Sequence, residues 1–228
     1  LDQDAICTIT NNDISPTITV VTTIINNNGG LVLEPDAFGL RVDDGSVLDS
    51  AANFFDVGTH HVSADGLDGY QPGVWGEDCA EDGSITLSLD QDAICTITFD
   101  DISPTLKVVK TIINDNGGAI LDEDVFVLRV DDDVVLHDAI NDFDAGEHIV
   151  TEDGLYGYAA GMWGGDCEPD GSVTLVLDQD AICSITNNDV FTSALYPIIP
   201  FHFKWFIRSN KTYNLLRLLL FGSGTYRY

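Results

Sequence analysis

Leu89–Thr98 reads LDQDAICTIT; the same ten residues stand at Leu1–Thr10, and LDQDAICSIT stands at Leu177–Thr186. The spacing is 88 residues both times, and Asp13–Asp100 aligns on Asp101–Asn188 without a gap at 55 of 88 identical positions. Self-similarity at a fixed period marks copies of one folding unit. A period of about 90 residues exceeds the roughly 20–50 of stacking solenoids and is long enough to enclose a small core, so each copy is expected to be a domain. Residues 13–100 and 101–189 are then two complete copies. Residues 1–12 read as the C-terminal hairpin of a preceding copy whose front is missing, which makes the sequence a fragment and the lack of a leader uninformative. Residues 190–228 form a non-repeat tail.

The second copy shows how such a unit folds. Thr105–Asn114 is rich in β-branched residues and follows Ser103-Pro104, so it predicts a strand, and Asn114-Asp115-Asn116-Gly117-Gly118 supplies a turn. Further strands are predicted at Val125–Val130, Val134–His137, His148–Glu152, Tyr158–Trp163, Ser172–Leu177 and Ala181–Thr186, separated by Asp/Gly clusters. Seven short strands with turns every 8–12 residues or so are the pattern of an all-β sandwich. By the two-residue period Leu106, Val108, Lys110 and Ile112 share one face, as do His148, Val150 and Glu152. The junctions Asp-Ile-Ser-Pro-Thr, stiffened by Pro16 and Pro104, are too short for flexible tethers and predict a semi-rigid rod.

Charge narrows the function classes. All 38 acidic residues lie at or before Asp189, against four basic ones there (Arg41, Lys107, Lys110, Arg129), a net −34. Such a surface repels nucleic acid and anionic lipid. The tail has no acid, five bases (Lys204, Arg208, Lys211, Arg217, Arg227) and many Phe, Leu, Ile and Tyr. Its apolar runs are broken by Pro197, Pro200, His202 and Lys204 and fall short of the ~20 residues that span a bilayer. It reads as unrelated to the repeat, native or frame-shifted, and does not establish a membrane anchor.

Each complete copy holds two cysteines 16 residues apart, Cys79 with Cys95 and Cys167 with Cys183, and Cys7 matches the second member of such a pair. A strand out and a strand back bring each pair together, and closing a loop of that length stabilises by about 3 kcal/mol in the chain-entropy model. A zinc site needs four ligands, and no second Cys or His pair lies near enough in sequence. Two disulfides and an oxidising, extracytoplasmic setting are expected.

Val108-Val109-Lys110-Thr111, Phe126-Val127-Leu128, the run from Ala145 to Glu152 and the closing Ile185-Thr186-Asn187 follow one another in an order and spacing that cover the whole second copy. In these pieces the copy resembles the prealbumin-like repeats of bacterial surface proteins, the group containing collagen-adhesin B-type and SpaA-type pilin domains. It is more similar still to acidic variants carrying WGGDC and CTITN, here Trp163–Cys167 and Cys183–Asn187. The resemblance implies tandem seven-stranded Greek-key sandwiches serving as stalk or spacer on a bacterial cell surface or in a secreted adhesin. The expected partners are an extracellular ligand or neighbouring repeats of the same chain, with no cofactor. It further implies an amide bond between a first-strand Lys and a last-strand Asn, assisted by an acid, and Lys110, Asn187 and Glu152 stand at those positions. Burial favours a neutral amine beside a protonated carboxyl, the pair such a reaction needs. The competing reading has Lys110 reach a sheet edge and pair with Glu152 while Asn187 merely ends the strand. In the first copy the three positions are Thr22, Ala64 and Phe99.

Two other classes are weighed on particular residues. A calcium- or glycan-binding module would use the acidic run Asp131, Asp132, Asp133, the oxygens of Asn114, Asp115 and Asn116, or stacking on Trp75, Trp163, Tyr70 and Tyr158. The acids match no known calcium loop and read as solvated turn residues, and aromatics repeated in both copies read as core. For catalysis on an external substrate, His60 and His148 recur but no nucleophile recurs with them, so no enzyme and no metal site is expected.

Overall fold

The computed structural model describes residues 3, 4 and 6–191; the expectations for the tail concern residues that otherwise lie outside the described ones. The first copy contains β1 (Thr17–Ile25), β2 (Leu40–Val42), β3 (Gly45–Ser46), β4 (Ala52–Phe54), β5 (Gly58–Ala64), β6 (Tyr70–Pro72), β7 (Gly76–Glu77), β8 (Ser84–Leu87) and β9 (Asp92–Asp101). The second repeats the series as β10 (Thr105–Ile113), β11 (Leu128–Val130), β12 (Asp133–Val135), β13 (Ile140–Asp142), β14 (Gly146–Glu152), β15 (Tyr158–Ala160), β16 (Gly164–Gly165), β17 (Ser172–Leu175) and β18 (Asp180–Asp189).

Each copy is a sandwich of two sheets. In the second, β13-β10-β18-β15, with β16 also on β18, faces β12-β11-β14-β17, and the first copy has the same order. The pairing at the heart of each copy is parallel: β1 runs beside β9 and β10 beside β18, nine residues in register each time. The first and last strands of a copy therefore meet side by side, and any bond between them closes nearly the whole domain. Inward positions alternate along β18, where Ala181, Cys183, Ile185, Asn187 and Asp189 are buried. Leu106, Val108, Leu128, Val130, Val150, Val173 and Leu175 complete that core from both sheets.

The strand count departs from seven because short apolar pieces divide differently. The expected strand Val125–Val130 opens as a 3-10 turn, Glu123–Phe126. Asp122 caps it by accepting from Asp124 N at 3.2 Å, and Phe126 is turned wholly into the core. The two-residue β16 and the edge strand β13 are too short and too polar to show an alternating signal. The β11–β12 hairpin turns on Asp131 and Asp132, whose φ of 48° and 73° give the left-handed backbone conformation that lets a two-residue turn match the right-handed twist of its strands.

Residues 6–16 contain no strand, and the hairpin expected in residues 1–12 is not formed among the described residues; Cys7 is free and exposed. The same sequence is a strand at β9 and β18 because each lies along its own copy's first strand, and residues 6–10 have no such partner among the described residues. The copies are joined by Ile102-Ser103-Pro104 alone, between the end of β9 and the start of β10. Pro104 is buried and its carbonyl accepts from Phe143 N at 3.1 Å, so the linker is held, not loose.

Candidate functional site

Lys110 lies on β10 and Asn187 on β18, two residues beyond Ile185, the register partner of Lys110. Glu152 comes from the facing sheet, at the end of β14. The three side chains meet inside the core. Lys110 is 2% exposed and Asn187 1%. Glu152 touches Lys110 Nζ with Oε2, and its Oε1 accepts from Asn187 Nδ2 at 2.8 Å. One carboxyl thus bridges an amine and a carboxamide from the first and last strands.

Burial pushes the Lys110 ammonium below its ordinary value, against the opposing hydrogen bond and charge of Glu152. Nζ also lies 4.3 Å from the centroid of the Phe126 ring. Lys110 pairs with Glu152 as the competing reading expects, but inside the core and not at a sheet edge, because its side chain points between the two sheets, and Asn187 does not merely end the strand, since it donates to the same carboxyl. Asn187 Oδ1 is buried without a hydrogen-bond partner, a costly state for a carbonyl oxygen and one that a protonated carboxyl would relieve. Phe126 and His137, whose Nδ1 accepts from Lys110 N at 2.9 Å, complete the surroundings. Phe126, expected only as part of the strand Val125–Val130, is brought beside Lys110 by the 3-10 turn.

The first copy shows the same space filled without charged groups. Phe99, in place of Asn187, stacks on Phe38 at 4.0 Å between ring centroids, and Tyr70 meets Phe38 edge-on at 5.3 Å. Ala64 packs beside them, and Thr22 is buried with its hydroxyl unpartnered.

Cys79 is joined to Cys95 and Cys167 to Cys183, each with Cα atoms 5.1 Å apart. Each disulfide ties the segment after β7 or β16 to the buried face of β9 or β18.

The residues weighed for other chemistries serve local structure. His148 Nδ1 meets Asp131 Oδ2 at 2.6 Å and its Nε2 meets Asp144 O at 2.8 Å; His60 repeats this with Asp43 and Asp56. Asp131 Oδ1 also accepts from Ile149 N, which ties the hairpin turn to β14. Tyr158 donates to Asn114 Oδ1 and Tyr70 to Asn26 Oδ1. Trp75 and Trp163 are half-buried against the cores, and Tyr70 is buried. Among the described residues no three His, Cys, Asp or Glu side chains converge as metal ligands.

A pH dependence follows from the histidine pairs. Burial opposes charge on His60 and His148, but the carboxylates of Asp43 and Asp131, together with Asp56 and Asp144, outweigh it and raise both histidines above their usual value. Asp43 and Asp131 are held correspondingly low. A raised histidine stabilises fully below its unfolded pKa and loses that contribution as pH rises through the folded value; a lowered carboxylate loses its own as pH falls through its folded value. The pairs therefore stabilise most between roughly pH 4 and 6.5. The thermal midpoint is expected to fall as pH is raised from about 5.5 to 8, and to fall less in a chain carrying His60→Gln and His148→Gln. Equal slopes for the two chains would show that the pairs contribute nothing.

A β-sandwich repeat with a disulfide from a loop to its last strand, and with a lysine, an acid and an asparagine sealed in the core of one copy, defines a class of tandem structural domain. The family model of the prealbumin-like fold domain matches residues 13–97 and again 101–185, and the chain belongs to that family. No curated protein matches it significantly. Among solved structures it is similar to the major pilin of Streptococcus pyogenes, at 13% identity and a TM-score of 0.29, over 79% of this chain and 100% of that one. It is likewise similar to domains 3–4 of the Streptococcal High Identity Repeats in Tandem of a cell surface protein, at 14% identity and TM-score 0.34 over 78% and 98% of the chains. The minor pilin of Streptococcus agalactiae aligns at 13% identity and TM-score 0.25 over 64% and 67%.

Proposed function

We propose that the two copies are spacer domains of a secreted or cell-surface bacterial protein, and that the second carries an intramolecular amide bond between Lys110 Nζ and Asn187 Cγ formed with the help of Glu152. The observation that carries the bond is the Glu152 carboxyl bridging amine and carboxamide in a core closed to water. Tandem domains of one family, a three-residue linker anchored by a buried proline and two disulfides support the spacer role.

The chemistry balances within the triad. Transfer of one proton from Nζ to Glu152 leaves a neutral amine beside a carboxylic acid, a state burial favours over an ion pair. Rotation of the Asn187 amide brings Oδ1 to the acid, whose proton polarises the carbonyl as Nζ attacks Cγ. The Nζ–Cγ bond forms and the Cγ–Nδ2 bond breaks. Glu152 takes a proton from Nζ and supplies one to Nδ2, which leaves as ammonia. The resulting bond would tie first strand to last across a loop of nearly the whole copy, which the chain-entropy model values at roughly 4–5 kcal/mol.

Intact-mass measurement tests the bond. The chain is expected to weigh less than its sequence by one ammonia beyond the hydrogens lost to disulfides, and Glu152→Ala and Lys110→Ala are each expected to restore that mass. A wild-type mass lacking the deficit refutes the cross-link. Surface labelling of intact producing cells tests the spacer role separately: a chain labelled only after permeabilisation would overturn it.

A further inference from the structure

The two copies meet through a linker whose backbone groups are divided between them. Ile102 N donates to Gly69 O of the first copy at 2.9 Å, and Ile102 O accepts from Asp178 N of the second at 3.0 Å. Pro104 O accepts from Phe143 N, and Thr105 N donates to Gln179 O at 2.7 Å. A hinge here would have to give up backbone hydrogen bonds on one side or the other. The bonds toward the second copy belong to the repeat itself: at the head of the first copy Ile14 O accepts from Asp90 N, Pro16 O accepts from Phe55 N and Thr17 N donates to Gln91 O, at 2.8–3.0 Å. The contacts toward the first copy are made at the seam.

On that side the first copy presents a fixed surface. Asp101, the last residue of β9, accepts from the backbone N–H groups of Asn27, Asn28 and Gly30 at 2.7–3.1 Å, and Asn28 Nδ2 donates to Asp101 O at 2.7 Å. The turn so held offers Asn28 O to the second copy, where Ala145 N donates to it at 2.7 Å. Leu177 packs onto Phe38, Tyr70, Ile97 and Phe99 and takes no place in the core cluster of its own copy. The aromatic stack that stands where the second copy has its triad is therefore extended by a residue of the second copy. The surfaces approach closely. A Cβ on Gly29 would run into the Ala145 backbone, and one on Gly69 into Leu177. Their φ of 88° and 80° already accounts for glycine at both positions, so the seam adds the close approach and not the choice of residue.

Relative motion is the default between domains of one chain unless a well-packed apolar interface removes it. Here an apolar plug, a hydrogen bond outside the linker and a linker bonded at both ends act at separate points. Restraint at separate points removes the rotations that a short linker alone permits.

We propose that this junction is a lock: Leu177 seated on the aromatic cluster of the first copy, with the bond from Ala145 N to Asn28 O, holds the two copies as one rigid body in solution. A pair so locked keeps both the angle and the twist between its units. The lock depends neither on the spacer reading nor on the Lys110–Asn187 bond.

Residual dipolar couplings of the backbone N–H groups, measured on the full chain in a weakly aligning medium, test it. Couplings from β1–β9 and from β10–β18 are expected to fit one alignment tensor in the wild type and two different tensors in Leu177→Asp. The same variant is expected to speed amide exchange at Ala145 by about tenfold or more while leaving Ile185, in the second copy's own core, unchanged. Leu177→Ala removes the plug without adding charge and is expected to speed Ala145 exchange in the same direction, which keeps the test open if the aspartate disturbs the fold. Leu89→Asp, the same change at the equivalent place in the first copy, is expected to preserve the single tensor. Two tensors in the wild type overturn the lock, since the copies then reorient despite the contact. One tensor and unchanged Ala145 exchange in both Leu177 variants overturn the part given to Leu177. Separation of the copies by Leu89→Asp as readily as by Leu177→Asp overturns it too, because the effect would then not come from the seat on the aromatic cluster.

Discussion

Glu152→Ala is expected to destabilise the second copy by about 3–5 kcal/mol and to leave the first copy's unfolding in place. The variant loses two things at once. Without its carboxyl the Lys110 ammonium, whose side chain is fully buried, has no counter-charge, and the proposed amide bond cannot form. Glu152→Gln separates the two effects: it keeps the shape and an acceptor for Asn187 Nδ2 but supplies neither charge nor proton transfer, so it is expected to lack the mass deficit and remain strongly destabilised. The first copy provides the complementary test. There an apolar stack occupies the same volume, so Lys110→Thr, Glu152→Ala and Asn187→Phe together are expected to recover most of the loss, since a buried polar set is often replaceable by well-packed apolar groups at little net cost. Equilibrium denaturation followed by probes in each copy measures this. A Glu152→Ala copy within about 1 kcal/mol of wild type would show that the triad is neither cross-linked nor a buried ion pair of consequence.

Reduction of the disulfides is expected to cost each copy about 3 kcal/mol, with unequal consequences. Both bridges close loops of 16 residues, and Cys95 and Cys183 are wholly buried, so the direct losses should match. The first copy then has nothing covalent left, whereas the second retains the proposed amide bond. Under reductant the first copy is therefore expected to unfold at clearly lower denaturant than the second, and Cys79→Ser with Cys95→Ser should reproduce this without reductant. Copies that unfold together after reduction would mean that only disulfides secure them, in agreement with a missing mass deficit.

The repeat, its period and its all-β character are legible in the residues because they rest on local signals: identity at 88-residue spacing, alternating apolar residues and Asp/Gly turns. The alternation also pointed Lys110, Glu152 and Asn187 inward, since a strand's face follows from parity alone. Only the tertiary structure decided which of these inward groups touch. The parallel pairing of first and last strands brings residues 77 positions apart onto one sheet, and the carboxyl between them arrives from the opposite sheet. Neither event leaves a local trace. The same holds for Phe126, which a capped 3-10 turn and not a strand directs under the lysine. It holds most strongly for the contact between the copies: the seating of Leu177 against Gly69 and the cluster around Phe38 follows from how two folded surfaces meet across a three-residue linker. Strand identity is set by neighbours along the chain, whereas contact is set by packing between elements that the chain order leaves far apart.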